Sequence, residues 1–177
     1  MKNINQIELS KFIEQAKNDK TLLEKELKVE VNWNFNEELP QMSCTLNYSN
    51  NQSTTFYIDQ IPTLGGKGLA PNPIQYCLMG LGSCFLSTFA IVCSQMNLNI
   101  KKLKLIVKNK INLSIPLNLG NEPVTKRIEF EIEIESDEDM SKIEAAKEAA
   151  VNLCPAVWCM KNPIPINVNI KAKELKN

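Results

Sequence analysis

The sequence predicts an α+β fold, with an antiparallel-rich sheet packed on a long central helix and a second helix. Three features predict it. Residues 69–100 carry no charged side chain and hold small residues at helical spacing. Residues 101–112 and 127–135 alternate apolar side chains with Lys in the first run and Glu in the second. Helical spacing returns over 139–153.

In order, residues 6–26 read as a helix with Ile7, Phe12, Ile13, Ala16, Leu22 and Leu23 on a rough apolar stripe, and Asn18-Asp19 is a place for it to split. Strand-like runs follow at 27–35, 41–49 and 54–59, with Asn50-Asn51 suited to a turn between the last two. A Gly/Pro-rich loop, 61–71, leads to a helix expected over 73–97. Asn72 is a good N-cap, Pro73 suits the first turn, and Gln75 stands at the reciprocal capping-box position. Gly80, Ser83, Cys84, Ser87, Ala90 and Ser94 form a strip that lets another helix backbone come close. The apolar length permits a membrane span. The interspersed Gly, Ser, Thr and Gln residues, and the strands on both sides, favour a buried core helix instead.

The strands 101–112 and 127–135 put Leu103, Leu105 and Val107, and Phe130, Ile132 and Ile134, on one face. Antiparallel pairing sets the Lys ladder beside the Glu ladder on the other. The helix over 139–153 has a capping box at Ser141 and Glu144, or a cap at Asp137 or Asp139. Pro155 ends it and opens a short turn, 155–160. Ile164, Ile166, Val168 and Ile170 alternate in an expected last strand, 164–171, with these side chains inward.

At 177 residues and 20.0 kDa the chain suits one compact domain. With 44% hydrophobic and 23% charged residues, disorder is excluded as the main state. Lys+Arg and Asp+Glu are both 20, so the cationic excess of a nucleic-acid binder is missing and no nucleic-acid partner is expected. Arg127 is the only arginine. Histidine is absent, which excludes Ser-His and Cys-His nucleophile schemes; a metal site would need Cys with or without carboxylates. No metal and no cofactor are expected. Met1 to Lys20 lacks an apolar stretch of signal-peptide type, so a cytoplasmic protein that keeps its thiols is expected, with no membrane partner.

The cysteines are Cys44, Cys77, Cys84, Cys93, Cys154 and Cys159, with no CxxC pair. Cys84 lies mid-helix on the small-residue strip. Cys77 is two turns, about 10 Å, before it, too far for pairing in a straight helix. Cys93 reads as core and Cys44 as a strand residue. Cys154 ends one helix and precedes Pro155, where a following turn offers unpaired N–H groups to a thiol. Cys159 is five residues further, an awkward separation for a helical disulfide.

The run from Ala70 through Asn72-Pro73 and Gly82-Ser83-Cys84-Phe85 resembles the signature of the osmotically inducible protein C / organic hydroperoxide resistance (OsmC-like) family. Leu153-Cys154-Pro155 with Asn162-Pro163-Ile164-Pro165 resembles its second motif. The resemblance covers roughly 27–171. It makes 1–26 an N-terminal helical extension and 27–177 an OsmC-like α+β domain. It implies an intertwined homodimer with sites at the interface, and thiol-dependent reduction of peroxides. Cys84 is then the peroxidatic thiol and Cys154 the resolving thiol, their disulfide being reduced by a small or protein dithiol. The peroxidase members add an Arg from the N-terminal half and a Glu early in the long helix. Here that half has no Arg, and Ile74 or Gln75 stands at the Glu position. Lys67 is the nearest cation by sequence, and Gln75 is fully explained by the capping box.

Two further readings stay open. One is a protein that binds an apolar small molecule, with Tyr76, Met79, Phe85, Phe89 and Trp158 as candidate lining residues. The other is a different thiol chemistry, on persulfides or electrophiles.

Overall fold

The computed structural model describes residues 1–172. Helix α1, Gln6–Asn18, stops at Asn18-Asp19, and the Asp19 side chain caps a separate 3-10 turn, Lys20–Leu23. Strands β1 (Val31–Trp33), β2 (Met42–Tyr48) and β3 (Gln52–Ile58) form an antiparallel sheet in that order. The β2–β3 register runs from Met42 opposite Ile58 to Tyr48 opposite Gln52, closed by a 3-10 turn at Ser49–Asn51. The expected strand over 27–35 is thus reduced to three residues, with Leu27, Val29 and Phe35 exposed outside it.

Helix α2 spans Pro73–Gln95. Its capping box is complete: the Gln75 amide donates to Asn72 Oδ1 (3.0 Å) and the Asn72 amide to Gln75 Oε1 (2.9 Å). It ends two residues before the expected 97. Asn97 takes a left-handed conformation (φ 57°), and the Leu98 amide reaches back to the Cys93 carbonyl (2.9 Å), a Schellman-type close. By length and composition α2 qualifies as a membrane-spanning helix, yet it forms the centre of the core. Phe85, Phe89, Val92 and Cys93 pack with Leu98, Ile100, Ile143, Ala146, Ala150 and Cys154.

Strands β4 (Ile100–Ile111) and β5 (Thr125–Ser136) form a two-stranded antiparallel ribbon. Leu103, Leu105, Phe130, Ile132 and Ile134 face the core. The solvent face carries the expected ladder: Lys102 pairs with Glu135 (2.5 Å), Lys104 with Glu133 (2.8 Å), and Lys108 diagonally with Glu131. Helix α3, Met140–Leu153, is capped by Asp139, whose Oδ1 accepts from the Ser141 amide (2.9 Å), so Ser141 is inside the helix rather than its cap. Helix α4, Pro155–Lys161, follows at once.

Gly82, just off the small-residue strip, lies so near β4 that a Cβ there would sit 2.7 Å from Val107 Cγ2, whereas Gly80, on the strip, is open. One end of the strip meets the N-terminal segment, where Gln6 Nε2 donates to the Ser94 carbonyl and hydroxyl (2.6 and 2.5 Å). The last strand, 164–171, does not form: the segment is extended but unpaired, and Ile164, Ile166, Val168 and Ile170 are exposed. Alternation specifies a face, whereas a strand also needs a neighbouring edge, and among the described residues no strand pairs with this segment. Pro165 removes one of its donors.

Candidate functional site

The site is built where α4 meets α2. Pro155 disfavours helical backbone at the residue before it, and Cys154 accordingly leaves α3 with ψ 119°. Cys154 is therefore both the last cap of α3, its amide bonded to the Ala150 carbonyl (2.9 Å), and the first cap of α4, its carbonyl accepting from the Trp158 amide (2.9 Å). This sharp junction points the Cys154 side chain inward, where it is fully buried. Its sulfur lies 3.7 Å from that of Cys84, which is half-buried on α2.

The sequence places the free amides of the second turn at Cys154. In the structure one of them, Ala156 N–H, serves Cys84 instead. Burial nevertheless dominates and pushes the Cys84 thiol above the usual range. The Ala156 amide opposes this, and the neighbouring Cys154 and Cys159 sulfurs add to the rise. No lysine is among these influences. Cys84 thus rests as a neutral thiol in contact with a second thiol. Loss of two electrons joins them with a short movement, since a disulfide needs about 2.05 Å between sulfurs.

The other sequence candidates lie elsewhere. Gln75 is held in the α2 capping box. Lys67 Nζ donates to the Glu37 carbonyl. Cys44 and Cys93 are buried, and burial pushes the Cys93 thiol up as well. Cys77 and Cys159 are exposed. Phe85 and Phe89 belong to the core, whereas Met79 and Trp158 are exposed.

One residue escaped the sequence reading. Asp59, directly after β3, is buried, and its Oδ2 accepts from the amides of Leu69 (2.9 Å) and Lys67 (3.1 Å). The Leu69 amide does most to hold its carboxyl below the usual range, against the opposing effect of burial; the Lys67, Gln41 and Gln60 amides assist. Asp59 thereby fixes the loop that delivers the chain into α2. The only sequence signal was a lone acid between an alternating strand and a Gly/Pro-rich loop.

The model of the family described as OsmC-like protein matches residues 66–169, more than half of the chain. No curated protein sequence matches. An OsmC-like protein from Mycoplasma pneumoniae superposes with a TM-score of 0.61 at 21% identity, over 84% of this chain and 97% of that one. An organic hydroperoxide resistance protein OsmC from Legionella pneumophila gives 0.56 at 15% identity, over 78% and 92%. Another organic hydroperoxide resistance protein, from Elizabethkingia anophelis with thiocyanate bound, gives 0.56 at 14%, over 79% and 92%. These identities establish a shared fold, while the matched motifs at both ends of the site, Cys84 and Cys154, fall inside the family region. The chain belongs to the OsmC-like family as a divergent member.

Proposed function

We propose that the protein is a cytoplasmic thiol-dependent peroxide reductase acting on organic hydroperoxides through Cys84 and Cys154. The observation that carries this reading is the 3.7 Å contact between two sulfurs from separate elements, one of them half-buried and one fully buried. The Cys84 thiolate attacks the distal peroxide oxygen, the O–O bond breaks, and the alkoxide leaves as the alcohol after taking a proton. Cys84 is then a sulfenic acid. The Cys154 thiolate displaces its hydroxyl as water, forming the disulfide, and an external dithiol returns both sulfurs to thiols while it is oxidised. No metal or bound cofactor enters these steps.

Family membership and the descriptions of several structural relatives as organic hydroperoxide resistance proteins support the substrate class. The working form in this proposal is a homodimer. The exposed apolar side chains of 164–170, with Leu27, Val29 and Phe35, would be covered by a second copy. Treating reduced protein with an organic hydroperoxide and mapping linked peptides by mass spectrometry tests the reading. Two thiols lost per hydroperoxide and a Cys84–Cys154 link are expected; hydroperoxide consumed with no link at Cys84 would sink it.

A second reading is favoured by one observation: burial pushes the Cys84 thiol up, and among the described residues no cation counters it. A neutral half-buried thiol suits an apolar ligand or a sulfane-sulfur donor. Under that reading hydroperoxide leaves Cys84 intact, while a persulfide donor adds a sulfur to it.

A further inference from the structure

The Lys/Glu ladder of the β4–β5 ribbon stops before the ribbon does. Lys102, Lys104 and Lys108 stand opposite Glu135, Glu133 and Glu129. Past that point Asn109 faces Ile128, and the register resumes with Ile111 opposite Thr125. One residue of β4, Lys110, therefore faces two of β5, Lys126 and Arg127. This is a β-bulge with a cation at all three positions. Like charges facing each other across a ladder destabilise it. Arg127 is relieved by Glu129 (2.7 Å). Among the described residues neither Lys110 nor Lys126 is ion-paired.

The same residues line an open cavity of about 600 Å³ at this end of the ribbon. That is within the size range of small-molecule sites. Lys108 joins Lys110, Lys126 and Arg127 in its wall, against one acid, Glu129, in a chain whose charges balance as a whole. Ile111 and Pro123 add an apolar part. Asn109 is half-buried there. Its Oδ1 accepts from Thr125 Oγ1 (2.6 Å), which leaves its side-chain N–H groups to donate. The cavity shares no residue with the Cys84–Cys154 contact.

We propose that this bulge is a binding site for a small ligand with adjacent phosphate groups, either a free oligophosphate or a nucleoside polyphosphate. Two unpaired lysines and a guanidinium in one bulge match a short run of anionic groups better than a single one. Arg grips phosphate oxygens bidentately, and Lys follows as a movable point charge. The Arg127–Glu129 pair does not stand in the way. The Arg127 side chain is 79% exposed, and an exposed ion pair is weak enough to be exchanged for phosphate. A terminal phosphate carries about −1.5 to −2 charges at pH 7, so one oligophosphate turns the repulsion within the bulge into attraction. The basic surface is confined to this one end of the ribbon, which fits a small polyanion and not a nucleic-acid strand.

The test is titration calorimetry on the full chain at low salt, with tripolyphosphate as the probe and ATP and orthophosphate in parallel arms. Tripolyphosphate is expected to bind with a Kd below about 1 mM, and more weakly as salt is added. Lys110→Gln combined with Lys126→Gln should weaken binding about tenfold or more, because both unpaired cations are gone. Lys102→Gln combined with Lys104→Gln removes the same charge from the paired ladder and should leave binding within about twofold. All four positions are exposed, and the first pair of substitutions also removes repulsion, so its Tm without probe should be no lower than that of wild type. ATP bound more tightly than tripolyphosphate supports the nucleotide, with its base on the apolar part of the cavity; ATP bound equally or more weakly supports the free oligophosphate. Absence of binding to wild type overturns the proposal. So does orthophosphate bound as tightly as tripolyphosphate, or an equal loss in the two pairs of variants, which would mean diffuse surface charge.

Discussion

The sulfurs of Cys84 and Cys154 lie 3.7 Å apart although 70 residues separate them in the chain. The contact depends on two local decisions. Pro155 turns the chain out of α3 so that Cys154 points inward, and Gly82, two residues before Cys84, lets α2 lie close against β4.

Gly82→Ala tests the second decision. Ala gains about 1 kcal/mol of helix propensity over Gly. Against it, the new methyl stands 2.7 Å from a methyl of Val107, a β-branched side chain with little rotamer freedom. Overpacking of this kind costs about 1–3 kcal/mol, so the variant should be less stable in urea denaturation. It should also form the Cys84–Cys154 disulfide more slowly. A variant more stable than wild type would show that α2 and β4 are not in such close contact.

The pH dependence follows from burial of Cys84, which raises its folded pKa above the unfolded value. Its contribution to stability is fully present below the ordinary thiol pKa of about 8.5 and is lost as pH rises through the higher folded value. Cys93 behaves likewise. Stability should therefore fall on the alkaline side, less steeply in Cys84→Ser but not flat. The rate of thiol loss to hydroperoxide should run the opposite way, low at pH 7 and still climbing at pH 9. A plateau below pH 7 would mean that a cation reaches Cys84 after all.

Asp59 gives the acid-side counterpart. Its folded pKa is depressed, so its contribution is present above about 3.9 and lost as pH falls through the folded value. Asp59→Asn should lower Tm at pH 7 and flatten the acid limb of the stability profile. Lys67→Ala, which removes only the tie to Glu37, should leave the pH profile of thiol reactivity unchanged. A shifted profile would return Lys67 to the site as a cation.

The exposed alternation of Ile164, Ile166, Val168 and Ile170 gives a prediction about assembly. Sedimentation should show a dimer at micromolar concentration, and Ile166→Asp with Ile170→Asp should shift it towards monomer. A wild-type monomer of 20.0 kDa would contradict the dimeric form.

Much of the fold was legible because its signals are local. The Asn72–Gln75 capping box, the break at Asn18-Asp19 and the Lys/Glu alternation each report on side chains a few residues apart, and all recur in the structure. Cys84 and Cys154 were legible through motif resemblance, since no periodicity relates positions on two different helices. The last strand failed because, among the described residues, no strand pairs with 164–171. Asp59 was missed because its worth lies in backbone amides eight and ten residues away, which no side-chain pattern records. The unpaired amides after Pro155 were read as serving Cys154, whereas the Ala156 amide among them acts on the Cys84 thiol.

The most direct test of the central claim compares Cys84 with Cys77, an exposed thiol two turns away on the same helix. Reduced protein is mixed with cumene hydroperoxide at pH 8, quenched with an alkylating agent at intervals, and the fate of each thiol is read by peptide mass spectrometry. Cys84 should be lost faster than Cys77 despite its burial and raised pKa, with Cys154 lost in step with it, and Cys154→Ser should leave Cys84 oxidised without a Cys154 link. Loss of Cys84 no faster than that of Cys77 would contradict the account, leaving the paired sulfurs as packing.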